Sequence, residues 1–195
     1  MTAREDEHRL YFAYGVDMSS AEMRARQLNP KVVGAARVAD FQLVFCDQDP
    51  VWAGAMASLA PKPGAEVWGV VYQFDRRDFE RLDTFVDVRG DGTGASFHYP
   101  VTANLVVAAP VVALTYRRDR RVTNDPPSRP YLEAMIAGAQ EHRLPKHYIA
   151  MLSSLPSREP TGGLARRVRS LQTISECSGC TEPQPAREGS SSESP

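Results

Sequence analysis

Apolar positions along the chain change period in an order that reads as strands first and helices later. Residues 10–14 (LYFAY) form an apolar, aromatic run that breaks at Gly15 and passes to Val16 and Asp17, the pattern of a buried strand entering a tight loop. Residues 19–27 (SSAEMRARQ) set serines ahead of Glu22 as a helix cap and stop before Asn29-Pro30. Residues 32–46 (VVGAARVADFQLVFC) alternate and predict one long strand or two short ones. The stretch 48–64 opens as loop, then AGAMASLAP (53–61) reads as a strand of small residues. EVWGVVYQFD (66–75) is the strongest strand signal, its Val, Trp and Tyr content suiting a sheet position buried on both sides. Phe79, Leu82 and Val86 recur at helical spacing and predict an amphipathic helix over 76–86. A glycine-rich loop (RGDGTGAS, 89–96) follows. Strands resume over 98–119 with a break at Pro110, and 124–152 reads as a proline-led helix, a stop at Leu144-Pro145 and a second helix.

Strands dominating the first 115 residues, one interrupting helix, and helices thereafter predict an α+β fold. The expected architecture is a mixed β-barrel or strongly curled sheet with external helices. Residues 1–9 read as a disordered polar lead, 10–173 as the folded domain, and 174–195, rich in Ser, Pro, Glu and Gly, as a disordered tail. No repeat of fixed period is present.

Composition narrows the partners. With 195 residues, 42% of them hydrophobic, the chain can bury a sizeable core in one domain. Lys+Arg (23) nearly balances Asp+Glu (24), which argues against nucleic acid and against an anionic membrane, since both reward a basic excess. The basic clusters RRDRR (117–121) and Arg166, Arg167 and Arg169 read as solvated faces. No apolar run reaches the roughly 20 residues of a membrane span. The charged start MTAREDEHR lacks the apolar segment of a secretory signal, so a cytoplasmic protein is expected. Cys46 sits in an apolar run and reads as a core thiol. Cys177 and Cys180 form CSGC without a second Cys pair, and the four histidines are scattered, so no metal site is expected. CSGC reads as an incidental pair in the tail, with a redox dithiol or a metal site shared between molecules as alternatives.

Four segments in order resemble the γ-glutamylcyclotransferase-like family. Tyr14-Gly15-Val16-Asp17 matches its YGSN-type loop after the first strand, EVWGVVY (66–72) a following strand, LDTFVDV (82–88) its LDxxEG-type helix, and PPSRPYLEAMIAGAQEHRLPKHY (126–148) its PPSxxY helix, GLP-type turn and tyrosine. The resemblance implies cyclisation of a γ-glutamyl amine or amide to 5-oxoproline, with release of the amine and with no cofactor or metal. The α-amino group of the substrate attacks the γ-carbonyl, so a base must first deprotonate the ammonium, an acid must protonate the departing nitrogen, and donors must hold the oxyanion. In such enzymes one glutamate serves as base and then acid, and loop amides cradle the substrate. Gly15, with no Cβ, lets the backbone approach a ligand closely.

The departures fall on the site. Val86 stands where the family places its catalytic glutamate, and Asp87 at the following glycine. One residue along a helix is a rotation of about 100°, so Asp87 reaches the glutamate's place only if the helix ends early or bulges. Val16 and Asp17 replace Ser and Asn, and Asp17 brings an anion where a substrate carboxylate is expected, favouring a cationic or amine-rich ligand. The residue sets carried forward are Asp87 and Asp17 as catalytic carboxylates, and Tyr14, Gly15, Val16, Asp17, Val86 and Tyr99 as ligand-binding, with Phe97 an alternative to Tyr99. Structural readings stand beside them: Asp17 as a cap for the helix near residue 20, Asp83 as a cap or ion-pair partner, Tyr14 as packing under the loop, Tyr131 as core with a wet hydroxyl, and His98 as a surface residue or a substitute base. The functional alternatives are an enzyme with a displaced acid, a catalytically inactive relative binding a small molecule or protein, and a scaffold acting through its tail.

Overall fold

A computed structural model of the chain describes residues 8–118 and 125–160. The strand that opens the sequence is β1 (Arg9–Ala13), and a 3-10 turn at Val16–Met18 leads from it to helix α1 (Ser20–Ala25). Two long strands follow, β2 (Lys31–Asp49) and β3 (Gly54–Phe74), then α2 (Arg76–Val86), β4 (Phe97–Leu105), β5 (Val111–Arg117), α3 (Arg129–Glu141) and α4 (Lys146–Ser153). The strands close into a barrel in the order β1-β3-β2-β4-β5. All these pairings are antiparallel, and β5 returns to lie parallel to β1, where Tyr11 pairs with Leu114. This is the α+β, mixed-barrel architecture the sequence predicts. The lead expected over 1–9 overlaps the first strand, since Arg9 opens β1 by pairing with Phe74; its residues 1–7, the domain's end after 160 and the tail with Cys177 and Cys180 lie outside the described residues.

The two strand signals at 53–61 and 66–75 are one element. Ala39 pairs with Glu66 and Phe41 with Pro61, so residues 62–65 bulge opposite Asp40 alone. Asp40 and Gly64 both take positive φ there (62° and 79°), and the Gly64 N–H donates to Asp40 Oδ1 at 2.8 Å. The polar PKPG that looks like a loop is a bulge within a continuous ladder, which gives the barrel its local bend.

Inside the barrel and under its helices lie Phe12, Val70, Tyr72, Phe74, Phe79, Leu82 and Met135, each at most 1% exposed. Cys46 is a buried free thiol, as expected. The helices pack outside the strands. Gly138 lets α3 settle on the turn after β1, since a Cβ there would stand 2.6 Å from the Ser19 nitrogen and 2.7 Å from Met18. Among the described residues no helix is long and apolar enough to cross a membrane.

Gly138→Ala is expected to lower stability by about 2 kcal/mol, the overpacking cost exceeding the gain in helix propensity. Gly90→Ala, where a Cβ meets nothing within 4 Å, should stay within about 0.5 kcal/mol of the parent. Urea midpoints at constant slope give both values.

Candidate functional site

The end of β1 and the turn at Val16–Met18 form one wall of a hollow of about 220 Å³. The turn closes through Met18 N–H to Gly15 O at 3.1 Å and Ser19 N–H to Val16 O at 2.9 Å. A 3-10 turn has no internal acceptor for its leading N–H groups. Gly15, Val16 and Asp17, which line the hollow, therefore carry amide donors with no acceptor inside the turn. Gly15 is needed for closeness: a Cβ there would come within 3.3 Å of the Tyr131 hydroxyl.

Asp17 is buried to 7% exposure, with one donor on each carboxylate oxygen. The Tyr11 hydroxyl donates to its Oδ2 at 2.8 Å, and Arg26 Nη1 donates to its Oδ1 in a salt bridge. It does not cap α1, because Ser19 does so by accepting from the Glu22 N–H. Arg26 follows the last residue of α1, and the positive φ of Gln27 (57°) turns the chain there. The Arg26 guanidinium also lies over the Phe85 ring at 5.7 Å. Tyr14 lies under the turn, its hydroxyl donating to the Tyr116 carbonyl at 2.6 Å. The Ala57 N–H donates to the Tyr131 hydroxyl at 3.1 Å, and Trp52 meets the Tyr131 ring edge-on at 5.2 Å.

The structure brings Tyr14, Gly15, Val16, Asp17 and Val86 to one lining, and leaves Asp87 and Tyr99 out of it. Helix α2 does end at Val86, with Asp87 as a left-handed cap (φ 56°, ψ 55°), but this conformation turns the carboxylate outward. Its Oδ2 accepts from the Ala95 N–H at 3.0 Å and its Oδ1 from Arg89 at 2.8 Å. The Ala95 N–H, then Arg89, hold the carboxyl below the usual range. Asp87 thus fastens the glycine-rich loop, an exposed structural role rather than an acid facing the hollow. The same loop returns Ser96 to the lining, with the Ser96 N–H donating to the Asp87 carbonyl at 3.2 Å. Tyr99 instead packs on Phe41 (5.9 Å between centroids) and under the Arg117 guanidinium (4.5 Å). Phe97 also packs against Tyr99 and Arg117 and is absent from the lining. Asp83 is a pairing residue, accepting from the Tyr116 hydroxyl at 2.7 Å and lying 2.7 Å from His98 Nε2.

Further lining residues come from distant parts of the chain and escape sequence reasoning: Glu22, Arg26, Asp49, Trp52, Ser96 and Arg118. Arg118, part of the cluster read as a solvated face, is a correction. Its side chain is 12% exposed, with Asp47 as an ion-pair partner at 3.7 Å, beyond hydrogen-bond length. Strand alternation offered one signal, since Arg118 falls two residues after Tyr116 and so on its face. Asp49 Oδ1 accepts from the N–H groups of Val51 and Trp52, both at 2.8 Å, fixing the β2–β3 turn at the rim. Among the described residues no cluster of His, Cys, Asp and Glu is arranged to hold a metal.

The AIG2-like family model matches residues 66–152. The chain is 27% identical to the γ-glutamylcyclotransferase of Homo sapiens over 178 residues, covering 88% of this chain and 91% of that one. It is 25% identical to the γ-glutamylcyclotransferase of Bos taurus over 177 residues, with the same coverage. A solved structure described as a γ-glutamyl cyclotransferase superposes with a TM-score of 0.74 at 26% identity, covering 86% of this chain and 99% of that one. Along most of its length the chain is similar to the γ-glutamylcyclotransferases. Within this γ-glutamylcyclotransferase-like fold the hollow lies on the turn that carries Tyr14-Gly15-Val16-Asp17.

Two outcomes follow from this packing. Arg26→Met is expected to cost about 3 kcal/mol by stranding a buried carboxylate, and the double variant Asp17→Asn/Arg26→Met to recover more than half of it; urea titrations of the four proteins close the cycle. Burial raises the phenols of Tyr11, Tyr14, Tyr116 and Tyr131 above their ordinary value. Their neutral form is kept in the fold while the unfolded chain ionises above about pH 10. Stability should be level below that pH and fall as pH rises past it, with the slope reduced in Tyr131→Phe.

Proposed function

We propose that the hollow takes a γ-glutamyl amine or amide and closes its γ-glutamyl group to 5-oxoproline, releasing the amine. One observation carries this reading: in a chain matched along most of its length by γ-glutamylcyclotransferases, the turn after β1 lines a hollow that also gathers carboxylates and two arginines from other elements. In this reading Asp17 accepts the proton of the substrate's α-ammonium, since Tyr11 and Arg26 take one acceptor position on each of its oxygens and a carboxylate oxygen can accept two. The freed amine attacks the γ-carbonyl carbon, forming the ring C–N bond. Oxygen takes the negative charge and is met by the amides of Gly15–Asp17. Collapse breaks the amide C–N bond, the departing nitrogen takes the proton Asp17 received, and the ring nitrogen, still bearing two hydrogens, gives one back to Asp17 to become the lactam N–H. Arg118 serves the substrate's α-carboxylate. A small γ-glutamyl-type molecule is then the partner, and the protein's proposed setting is the cytoplasm.

A second reading, a non-catalytic ligand-binding relative, is favoured by the valine at residue 86 on the α2 wall and by the outward turn of Asp87. Incubation with a panel of γ-glutamyl amines, with 5-oxoproline quantified, separates the two. Turnover reduced at least about 100-fold in folded Asp17→Asn and retained in Asp87→Asn is the expected result. Ligand binding without any 5-oxoproline selects the second reading, and equal turnover in parent and Asp17→Asn removes Asp17 from the chemistry.

A further inference from the structure

The hollow is graded from a buried polar end to an apolar rim. At its inner end Tyr14 and Tyr131 are 5% and 2% exposed, while at the rim Val51 and Phe85 are 45% and 40% exposed. Both rim residues are large and apolar, and they stand on different elements, the β2–β3 turn and α2. Trp52, Met56 and Val86 continue the same apolar surface inward. Exposed apolar side chains are ordinary when scattered, but several around one hollow form a surface that an apolar ligand group would cover.

The rim is also held in place. Asp49 fixes Val51 and Trp52 through their N–H groups, and the Arg26 guanidinium, anchored by Asp17, lies over the Phe85 ring. Charge then discriminates among apolar ligands. Asp49 and Glu22 line the hollow, and Arg118, the lining cation outside the Asp17 pair, is assigned to the substrate's α-carboxylate, so a second carboxylate on the ligand meets like charge. Arg26 offers little compensation because it is committed to Asp17.

Building on the proposed γ-glutamyl site, we propose that the amine half of the ligand is an apolar, preferably aromatic, amine without a carboxylate, selected by Phe85 and Val51. The γ-glutamyl half occupies the buried end beside Gly15, and the amine body lies outward across the rim. The carboxylate of a γ-glutamyl amino acid would fall toward Asp49 and Glu22.

The test compares γ-glutamyl benzylamide, γ-glutamyl methylamide and γ-glutamyl phenylalanine by kcat/KM for 5-oxoproline release and by calorimetric Kd. The benzylamide should exceed the methylamide by about tenfold, the effect of covering part of one ring. It should also exceed the phenylalanine conjugate by about fivefold or more, the like-charge penalty of a partly exposed site. Phe85→Ala and Val51→Ser should each shrink the benzylamide-to-methylamide ratio at least threefold. Turnover of all three at equal efficiency, or a preference for the methylamide or the phenylalanine conjugate, overturns the inference and leaves the cyclisation reading intact. If no 5-oxoproline forms, that reading falls and the same rank order in Kd decides the inference. Absence of binding by all three overturns both.

Discussion

A carboxylate withdrawn from water needs donors, and at Asp17 they come from two elements that otherwise have little reason to meet. Tyr11 reaches it from β1 and Arg26 from the end of α1. An isolated buried charge would be expelled or neutralised, so the ion pair holds the turn after β1 against the helix that follows. The net value of such a pair is small compared with the cost of losing half of it. Its consequence is geometric: Arg26, once committed to Asp17, also lies over Phe85 of α2. One charge pair thereby spaces three elements around the hollow.

Beneath this pair the support is made of phenols. Tyr72 donates to the Met18 carbonyl at 2.8 Å, Tyr14 to the Tyr116 carbonyl, and Tyr116 to Asp83. Each ring fills core volume while its hydroxyl satisfies a polar group that the turn or barrel would leave bare. Gly138 admits α3 against the same turn, so the loop is packed from below as well as hydrogen-bonded. The floor of the site belongs to the core, and the rim, carried by the β2–β3 turn and the last turn of α2, does not. That contrast explains why polarity and burial change together along the hollow.

The elements whose period is local were legible in the sequence. The seam of Phe79, Leu82 and Val86 gave α2 its bounds, and the break at Leu144-Pro145 separated α3 from α4. The join of two strand signals into β3 was not legible, because a bulge of PKPG has the composition of a loop and only its partner Asp40 shows the ladder continuing. In the site, the turn Tyr14–Asp17 announced itself by a glycine after an aromatic strand. Arg26, Asp49 and Arg118 did not, since a charged residue on a short helix, a turn or a strand end looks solvated until the barrel closes over it. Asp87 shows the limit of motif spacing: the helix ends where an acid at that position would require, yet the left-handed cap sends the carboxylate to Ala95.

Val86 and Asp17 are best considered together. A valine on the α2 wall removes an ionisable group from one side of the hollow, while an aspartate in the β1 turn sets one on the other. In the proposed cyclisation this shift has a spatial meaning. The attacking nitrogen and the γ-carbonyl belong to one short chain that must fold almost into its product ring, so the proton to be removed and the oxyanion to be held lie close together. A base and amide donors on the same turn suit that compact shape, because neither has to reach across the hollow. The opposite wall is then free to be apolar, and Phe85 and Val86 make it so.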